Sequence, residues 1–194
     1  MTLTTSAVIF AAQAHDGATR KGSGMPYIVH PMEVAAIAAS LTDDEALIAA
    51  AVLHDVMEDC GVGYDALCAQ FGPRVASLVE AESQTQHADA ASSWLPRKRE
   101  TVEKLARGGR EAKLLALSDK LSNMRAIRRD YVRSGEELFA KFHEKSKRLH
   151  AWYYRSCAAL IAQEFAHTDA YKELSALIDE VFADIAEDDM LFLP

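Results

Sequence analysis

Cysteine is scarce in this chain. Three residues, Cys60, Cys68 and Cys157, are scattered through 194 positions. They lack metal-knuckle spacing, and their odd number argues against a disulfide framework. Positive charge is in deficit: 21 Lys and Arg stand against 29 Asp and Glu, a formal net charge of −8. That argues against a general nucleic-acid-binding surface while leaving room for a local basic pocket. No apolar run reaches the roughly 18 residues of a membrane-spanning helix. The stretch Met1 to Phe10 has no basic start and no adequate apolar run, so no secretory signal is expected. Strand signals are nearly absent, because β-branched residues do not cluster. A cytoplasmic protein without DNA, RNA or membrane partners is expected.

What is present is alanine, and apolar positions recurring at three and four. Hydrophobic residues make up 49% of the chain, enough for a sizeable core without covalent staples. The expected fold is an all-α helical bundle, one domain over 1–194 with a C-terminal helical extension from about 168. Thr4 or Thr5 should cap a first helix ending near His15. Asp16 to Pro26 reads as a Gly-rich loop. Pro31 suits the first turn of a second helix to about Ser40. A third starts at Asp43 or Asp44 and runs through Asp59, stopped by Gly61 and Gly63. Shorter helices are expected at Tyr64 to Phe71 and Pro73 to about Gln84, with a loop over Ser83 to Ser93. Further helices span Pro96 to Arg107, Glu111 to about Asp130, Glu136 to about His167, and Thr168 to the acidic end.

The chemistry concentrates at the end of the third helix. The apolar run Ala46 to Leu53 is followed by His54-Asp55-Val56-Met57-Glu58-Asp59. Burying such charge costs several kcal/mol unless it is paired or binds a metal. At about 100° per residue, His54, Asp55, Glu58 and Asp59 fall within an arc of roughly 140° and can line one pocket. Two more segments carry matching groups: His30-Pro31, and Ser118-Asp119-Lys120-Leu121-Ser122-Asn123-Met124-Arg125. Asp119 and Asn123 share a helix face. Arg125 lies about 240° round that helix from Asp119 and is expected to brace another element. His30, His54, Asp55 and Asp119 make a mixed imidazole and carboxylate set that suits Mn²⁺, Fe²⁺ or Zn²⁺ better than Ca²⁺. Such a set leaves positions open for water and substrate. Glu58 and Asp59, placed at a helix C-terminus, would face an unfavourable dipole, which favours a functional reading. His15, His87, His143, His150 and His167 lack such context and read as surface or packing residues.

His30, the His54-Asp55 pair and Asp119 follow the H…HD…D order of the HD-domain phosphohydrolases. Arg20-Lys21, Gly24-Met25-Pro26-Tyr27-Ile28-Val29-His30-Pro31, His54 to Asp59, and Asp119 to Arg125 together resemble the hydrolase domain of RelA/SpoT proteins. The likeness is strongest to stand-alone small alarmone hydrolases of the metazoan SpoT-homologue type. It covers roughly residues 5 to 165, and no synthetase domain is expected beside it.

The resemblance implies an HD-domain helical bundle and an Mn²⁺-dependent hydrolase that removes the 3′-pyrophosphate of ppGpp, as in the stringent response. It implies metal ligands His30, His54, Asp55 and Asp119, and a water-activating pair Glu58 and Asp59. It places Arg20, Lys21, Lys98 and Asn123 at the substrate, with Arg97-Lys98-Arg99 facing the pyrophosphate. Tyr153 is the late-helix tyrosine chosen to lie near the base, with Tyr154 and Trp152 as alternatives. Residues Gln84 to Trp94 depart from the family pattern and are expected to form one wall of the pocket. No side chain near these motifs reads the base edge, so activity on the adenine counterpart is expected too. Other readings are an HD phosphohydrolase acting on another nucleotide such as NADPH, a silent nucleotide sensor, and a helical adaptor. The oligomeric state is left open.

Overall fold

The structure, a computed structural model, describes residues 1–20, 24–83 and 94–186. The described chain is all-α, with ten helices, a 3₁₀ segment at Gly135–Lys141 and one isolated bridge between Thr19 and Pro26. In order these are α1 (Leu3–Ala14), α2 (Val29–Ala39), α3 (Glu45–Leu53), α4 (Val56–Cys60), α5 (Tyr64–Phe71), α6 (Pro73–Glu82), α7 (Trp94–Arg107), α8 (Arg110–Ser134), α9 (Lys147–Phe165) and α10 (Asp169–Val181). None of the described helices is long and apolar enough to cross a membrane.

Helix α3 sits at the centre because its side chains are small and apolar on every side. Ala49, Ala50, Ala51, Val52 and Leu53 are completely buried. It packs against α1, α2, α6 and α8. Alanines answer it from the neighbours: Ala7 and Ala11 on α1, Ala35 and Ala38 on α2. Small side chains let these backbones approach closely, and tight packing transmits any shift in one helix to the others. The 25-residue α8 is the second strut, in contact with α2, α3, α6, α9 and α10.

Two expected helices are broken, and both breaks shape the site. The third helix does not run to Asp59. It stops at Leu53, and α4 begins at Val56. His54 Nδ1 lies 2.9 Å from the Ala51 carbonyl, the acceptor that residue 55 would use in a continued α-helix. Glu58 and Asp59 consequently lie in the first turn of a five-residue helix. The unfavourable-dipole argument therefore fails, since carboxylates are welcome at a helix start. The expected helix from Glu136 also divides. Gly135 ends α8 with φ of 55°, the chain turns through the 3₁₀ segment and an extended Phe142, and Ser146 caps α9 by accepting from Leu149 N. Smaller differences are at the ends: α1 is capped by Thr2, α2 starts at Val29 and so includes His30, α7 starts at Trp94, and α8 continues to Ser134.

The two flanks of the Gly-rich loop are paired. Arg20 N donates to Met25 O at 2.8 Å and Tyr27 N donates to Ala18 O at 2.9 Å. This fixes where Arg20 and Tyr27 leave the backbone. Near the other end of the chain, buried Lys147 donates to Tyr131 Oη, Glu136 Oε1 and Asp184 Oδ1 at 2.9, 2.7 and 2.6 Å. It ties α8, the 3₁₀ segment, α9 and the residues after α10 together.

Gly72 joins α5 to α6 with φ of 85° and ψ of 161°, a region that is essentially glycine-only and costs other residues of order 1–3 kcal/mol. Gly72→Ala is expected to lower stability by about that amount in urea unfolding. An unchanged midpoint would mean that the α5–α6 corner relaxes freely.

Candidate active site

Helices α2, α4, α7, α8 and α9 enclose a cavity of about 350 Å³. Of the residues expected at a site, Arg20, His30, Asp55, Glu58, Asp59, Lys98, Asp119, Asn123 and Tyr153 line it. His54 is buried just behind the wall and reaches the same point through its ring. Lys21 and Gln84 to Ser93 lie outside the described residues. A larger groove of about 490 Å³ between α6, α7 and α8 holds none of the expected site residues.

Four groups converge at the inner end of the cavity. One donor atom from each of His30, His54 and Asp55 lies within 4.8 Å of the other two. His54 Nε2 is 2.9 Å from Asp55 Oδ2, and His30 Nε2 is 3.7 Å from the same atom. Asp119 Oδ1 joins from α8, 3.2 Å from His30 Nε2 and 3.7 Å from His54 Nε2.

His54 tests whether this set fits a metal. Its Nδ1 faces a backbone carbonyl, which can only accept, so Nδ1 carries the hydrogen and Nε2 of the neutral ring carries a lone pair. That buried Nε2 makes no hydrogen bond of acceptable geometry, although Asp55 Oδ2 is 2.9 Å away. A lone pair facing carboxylate oxygens at this range calls for a cation between them. Without one, a proton is drawn in. Burial opposes charge on His54, but Asp55 and Asp119 outweigh it and carry its pKa up to about 9. Burial dominates at His30 and lowers its pKa. Burial would raise both carboxyls, but His54 holds Asp55 below the usual range, while Lys120 chiefly does the same for Asp119. The donor set, imidazole and carboxylate with a side open to a cavity, fits a divalent transition ion.

Each ligand-type group is also held by its neighbours. The Tyr27 hydroxyl donates to Asp55 Oδ2 at 2.6 Å. Asn123 Nδ2 donates to Asp119 Oδ1 at 2.6 Å, and the Lys120 ammonium pairs with Asp119 Oδ2. Arg20 Nη2 donates to Asn123 Oδ1 at 2.8 Å. Arg20 therefore enters the cavity already braced against α8. Asp59 has its pKa raised, first by burial and then by the Asp55 charge. Both effects favour its taking up a proton.

The far side is aromatic and basic. Trp94, Phe142, His150, Tyr153 and Tyr154 line it. The Nζ atoms of Lys98 and Lys120 lie 4.8 and 5.7 Å from the Tyr153 ring centre. Burial, with Lys120 adding to it, brings Lys98 down to about 8. Arg97 and Arg99 do not line the cavity.

Several wall residues escaped the sequence reading. Tyr27 and Lys120 stand inside motifs; Tyr27 reaches Asp55 in the α3–α4 turn, while Lys120 pairs with its neighbour Asp119 and faces the Tyr153 ring on α9. His150, read as surface or packing, is buried, and its Nε2 is 2.9 Å from Glu144 O. Arg129 and Asp130 also reach the wall. The spacing Asp119, Asn123, Asp130 along one α8 face was the available signal for Asp130. His15 is likewise buried, its Nδ1 3.2 Å from Cys60 Sγ. Arg125 does brace other elements, bonding Glu33 on α2 and Glu173 on α10.

A family model described as the HD domain matches residues 7–152. A Synechocystis protein named "Probable guanosine-3′,5′-bis(diphosphate) 3′-pyrophosphohydrolase" is 30% identical over 183 residues, covering 90% of this chain and 24% of that protein. A Vibrio cholerae guanosine-3′,5′-bis(diphosphate) 3′-pyrophosphohydrolase is 38% identical over 122 residues, 61% of this chain and 17% of that one. The chain thus spans about a quarter or less of the length of these curated relatives. Among solved structures, one of a metazoan orthologue of SpoT, described as hydrolysing ppGpp, superposes with a TM-score of 0.71. It is 24% identical, with 95% of this chain and 96% of that chain covered. At that identity the likeness concerns the fold.

Proposed function

We propose that this chain, which belongs to the HD-domain family, hydrolyses the 3′-pyrophosphate of ppGpp-type nucleotides with the help of a divalent ion. The reading is carried by one observation: His30, Asp55 and Asp119, with His54 just behind them, share one cavity with an acidic pair and several basic side chains. The naming of the Synechocystis and Vibrio relatives points to the same substrate class.

In this reading His30, His54, Asp55 and Asp119 hold the ion, for which Mn²⁺ is our choice. When bound, it supplies a Lewis acid to a phosphate oxygen and makes water more acidic. The chain's residues do the remaining work. Arg20, Lys98 and Lys120 neutralise and orient the pyrophosphate, which is most of what phosphoryl transfer needs. Lys21 is assigned beside Arg20 on the sequence resemblance alone. Asn123, already bonded to both Arg20 and Asp119, sets the sugar relative to the metal site. Tyr153 or Tyr154 stacks on the base. Glu58 or Asp59 takes a proton from the water that attacks the phosphorus. The bond from that phosphorus to the 3′ oxygen breaks, that oxygen takes up the proton given to the carboxylate or one from solvent, and pyrophosphate and GDP leave.

Purified protein with Mn²⁺ and ppGpp should release pyrophosphate, and Asp55→Ala should lose both bound metal and turnover. Pyrophosphate should also appear from the adenine counterpart. A guanine preference above about 10⁴ in kcat/KM would instead assign a base-reading role to wall groups such as Asp130. Release from neither nucleotide would overturn the substrate class.

Glu58→Gln keeps shape and removes the base. It should bind Mn²⁺ normally while kcat falls by roughly 10²-fold or more. An unchanged kcat would move the proton to Asp59.

Metal binding should release a proton. With His54 raised to about 9, the metal-free ring is protonated below that pH and must lose its proton to ligate. Apparent affinity should therefore rise by about tenfold per pH unit between 7 and 9 and then level off. Calorimetry in buffers of different ionisation enthalpy should find about one proton released per ion at pH 7.5. No proton release would mean that His54 is neutral before the ion arrives.

A further inference from the structure

The other nitrogen of His30 starts a chain of hydrogen bonds through three helices. His30 Nδ1 lies 2.8 Å from Ser122 Oγ. Ser122 Oγ in turn donates to Glu33 Oε2 at 2.7 Å. A serine has one hydroxyl hydrogen and a carboxylate has none, so that hydrogen is committed to Glu33. His30 Nδ1 must then be the donor to Ser122. The ring is left with its lone pair on Nε2, the atom 3.2 Å from Asp119 Oδ1. Arg125 Nη1 donates to Glu33 Oε1 at 3.0 Å. The remaining face of that guanidinium grips Glu173 on α10, Nε at 2.7 Å and Nη2 at 2.6 Å.

We propose that Ser122 and Glu33 are positioning residues that hold His30 in its Nδ1–H tautomer with Nε2 aimed at the metal site, and that Arg125 keeps Glu33 in place. The inference rests on reading His30 as a ligand. Ser122 is 1% exposed, so water cannot take its place when the hydroxyl is removed. Without an acceptor on Nδ1 the neutral ring can carry its hydrogen on either nitrogen and can rotate. The partner of a ligating imidazole is commonly worth 10–100-fold in metal affinity. Glu33 and Arg125 are about one-third exposed, so their influence should be smaller than that of Ser122. The chain also links α10 to the metal site through side chains alone.

A merely structural role would make this network a brace between α2, α8 and α10. The two roles separate in one comparison. Arg128 on α8 also pairs with α10, its Nε 3.0 Å from Glu180 Oε1. No contact of Arg128 with the His30 network is found among the described residues.

Mn²⁺ is titrated calorimetrically into metal-free wild type, Ser122→Ala, Glu33→Gln, Arg125→Gln and Arg128→Gln. The melting temperature of each is recorded in chelator. Ser122→Ala should bind Mn²⁺ roughly 10–100-fold more weakly, with Glu33→Gln and Arg125→Gln weakened less. Arg128→Gln should bind like wild type, and the melting temperature of metal-free Ser122→Ala should fall by a few degrees, as the loss of one buried hydrogen-bond partner requires. Affinities of Ser122→Ala and Glu33→Gln within about twofold of wild type would overturn the proposal. Equal losses in the Arg125 and Arg128 variants would overturn the part given to Arg125. If Ser122→Ala does not fold, the partly exposed Glu33→Gln decides. Wild type that binds no Mn²⁺ would instead remove the metal centre, and this is read before any variant is compared.

Discussion

Two imidazole lone pairs and two carboxylates face one another at the inner end of α3, and the neighbouring structure is arranged around that fact. Left alone, such a set would draw in protons or spring apart, because buried like charges repel and buried unpaired ones are costly. The chain meets part of the problem with hydrogen bonds from its own groups. Backbone and serine oxygens take the two Nδ1–H groups. A phenol and an amide donate to the same carboxylate oxygens that face the imidazoles, and an ammonium takes the other oxygen of Asp119. What remains is the pair of Nε2 atoms, and both face those oxygens.

The apolar framework makes that arrangement affordable. Alanine-lined contacts among α1, α2 and α3 leave little space for side chains to shift, so the groups at the end of α3 are held by packing as well as by hydrogen bonds. Polar groups gather where α3 breaks and the chain leaves the core. Charges elsewhere on the bundle are mostly partly exposed, and pairs such as Arg74–Asp44 contribute little individually.

Much of this was legible in the order of residues. Periodicity placed the helices, and Gly61 with Gly63 marked the stop before Tyr64–Phe71. The residue types at 30, 54, 55 and 119 announced one kind of chemistry, and the structure draws those side chains together. What escaped depends on tertiary partners. A side chain bonding back to Ala51 breaks the third helix, and periodicity carries no trace of that bond. Ser146 is an ordinary cap, but it sits among charged residues that also read as helix. Tyr27, Lys120 and Ser122 stood in plain view within motifs. The roles of Tyr27 and Ser122 come from what other elements place beside them, and Lys120 adds the Tyr153 ring of α9 to its pairing with Asp119. The dipole argument for Glu58 and Asp59 failed because it was attached to a helix end that the His54 turn abolishes.

The break between α8 and α9 has a wider consequence. It brings Phe142, His150, Tyr153 and Tyr154 to the cavity from one contiguous stretch of chain. The convergent imidazoles and carboxylates come from elsewhere, on α2, the α3–α4 turn and α8. The two halves of the cavity are thus genetically separable. Substitutions within 142–154 can reshape the compartment opposite the four-group cluster without touching a donor atom. Such a layout puts the shape of one compartment and the donor atoms of the other under separate stretches of sequence.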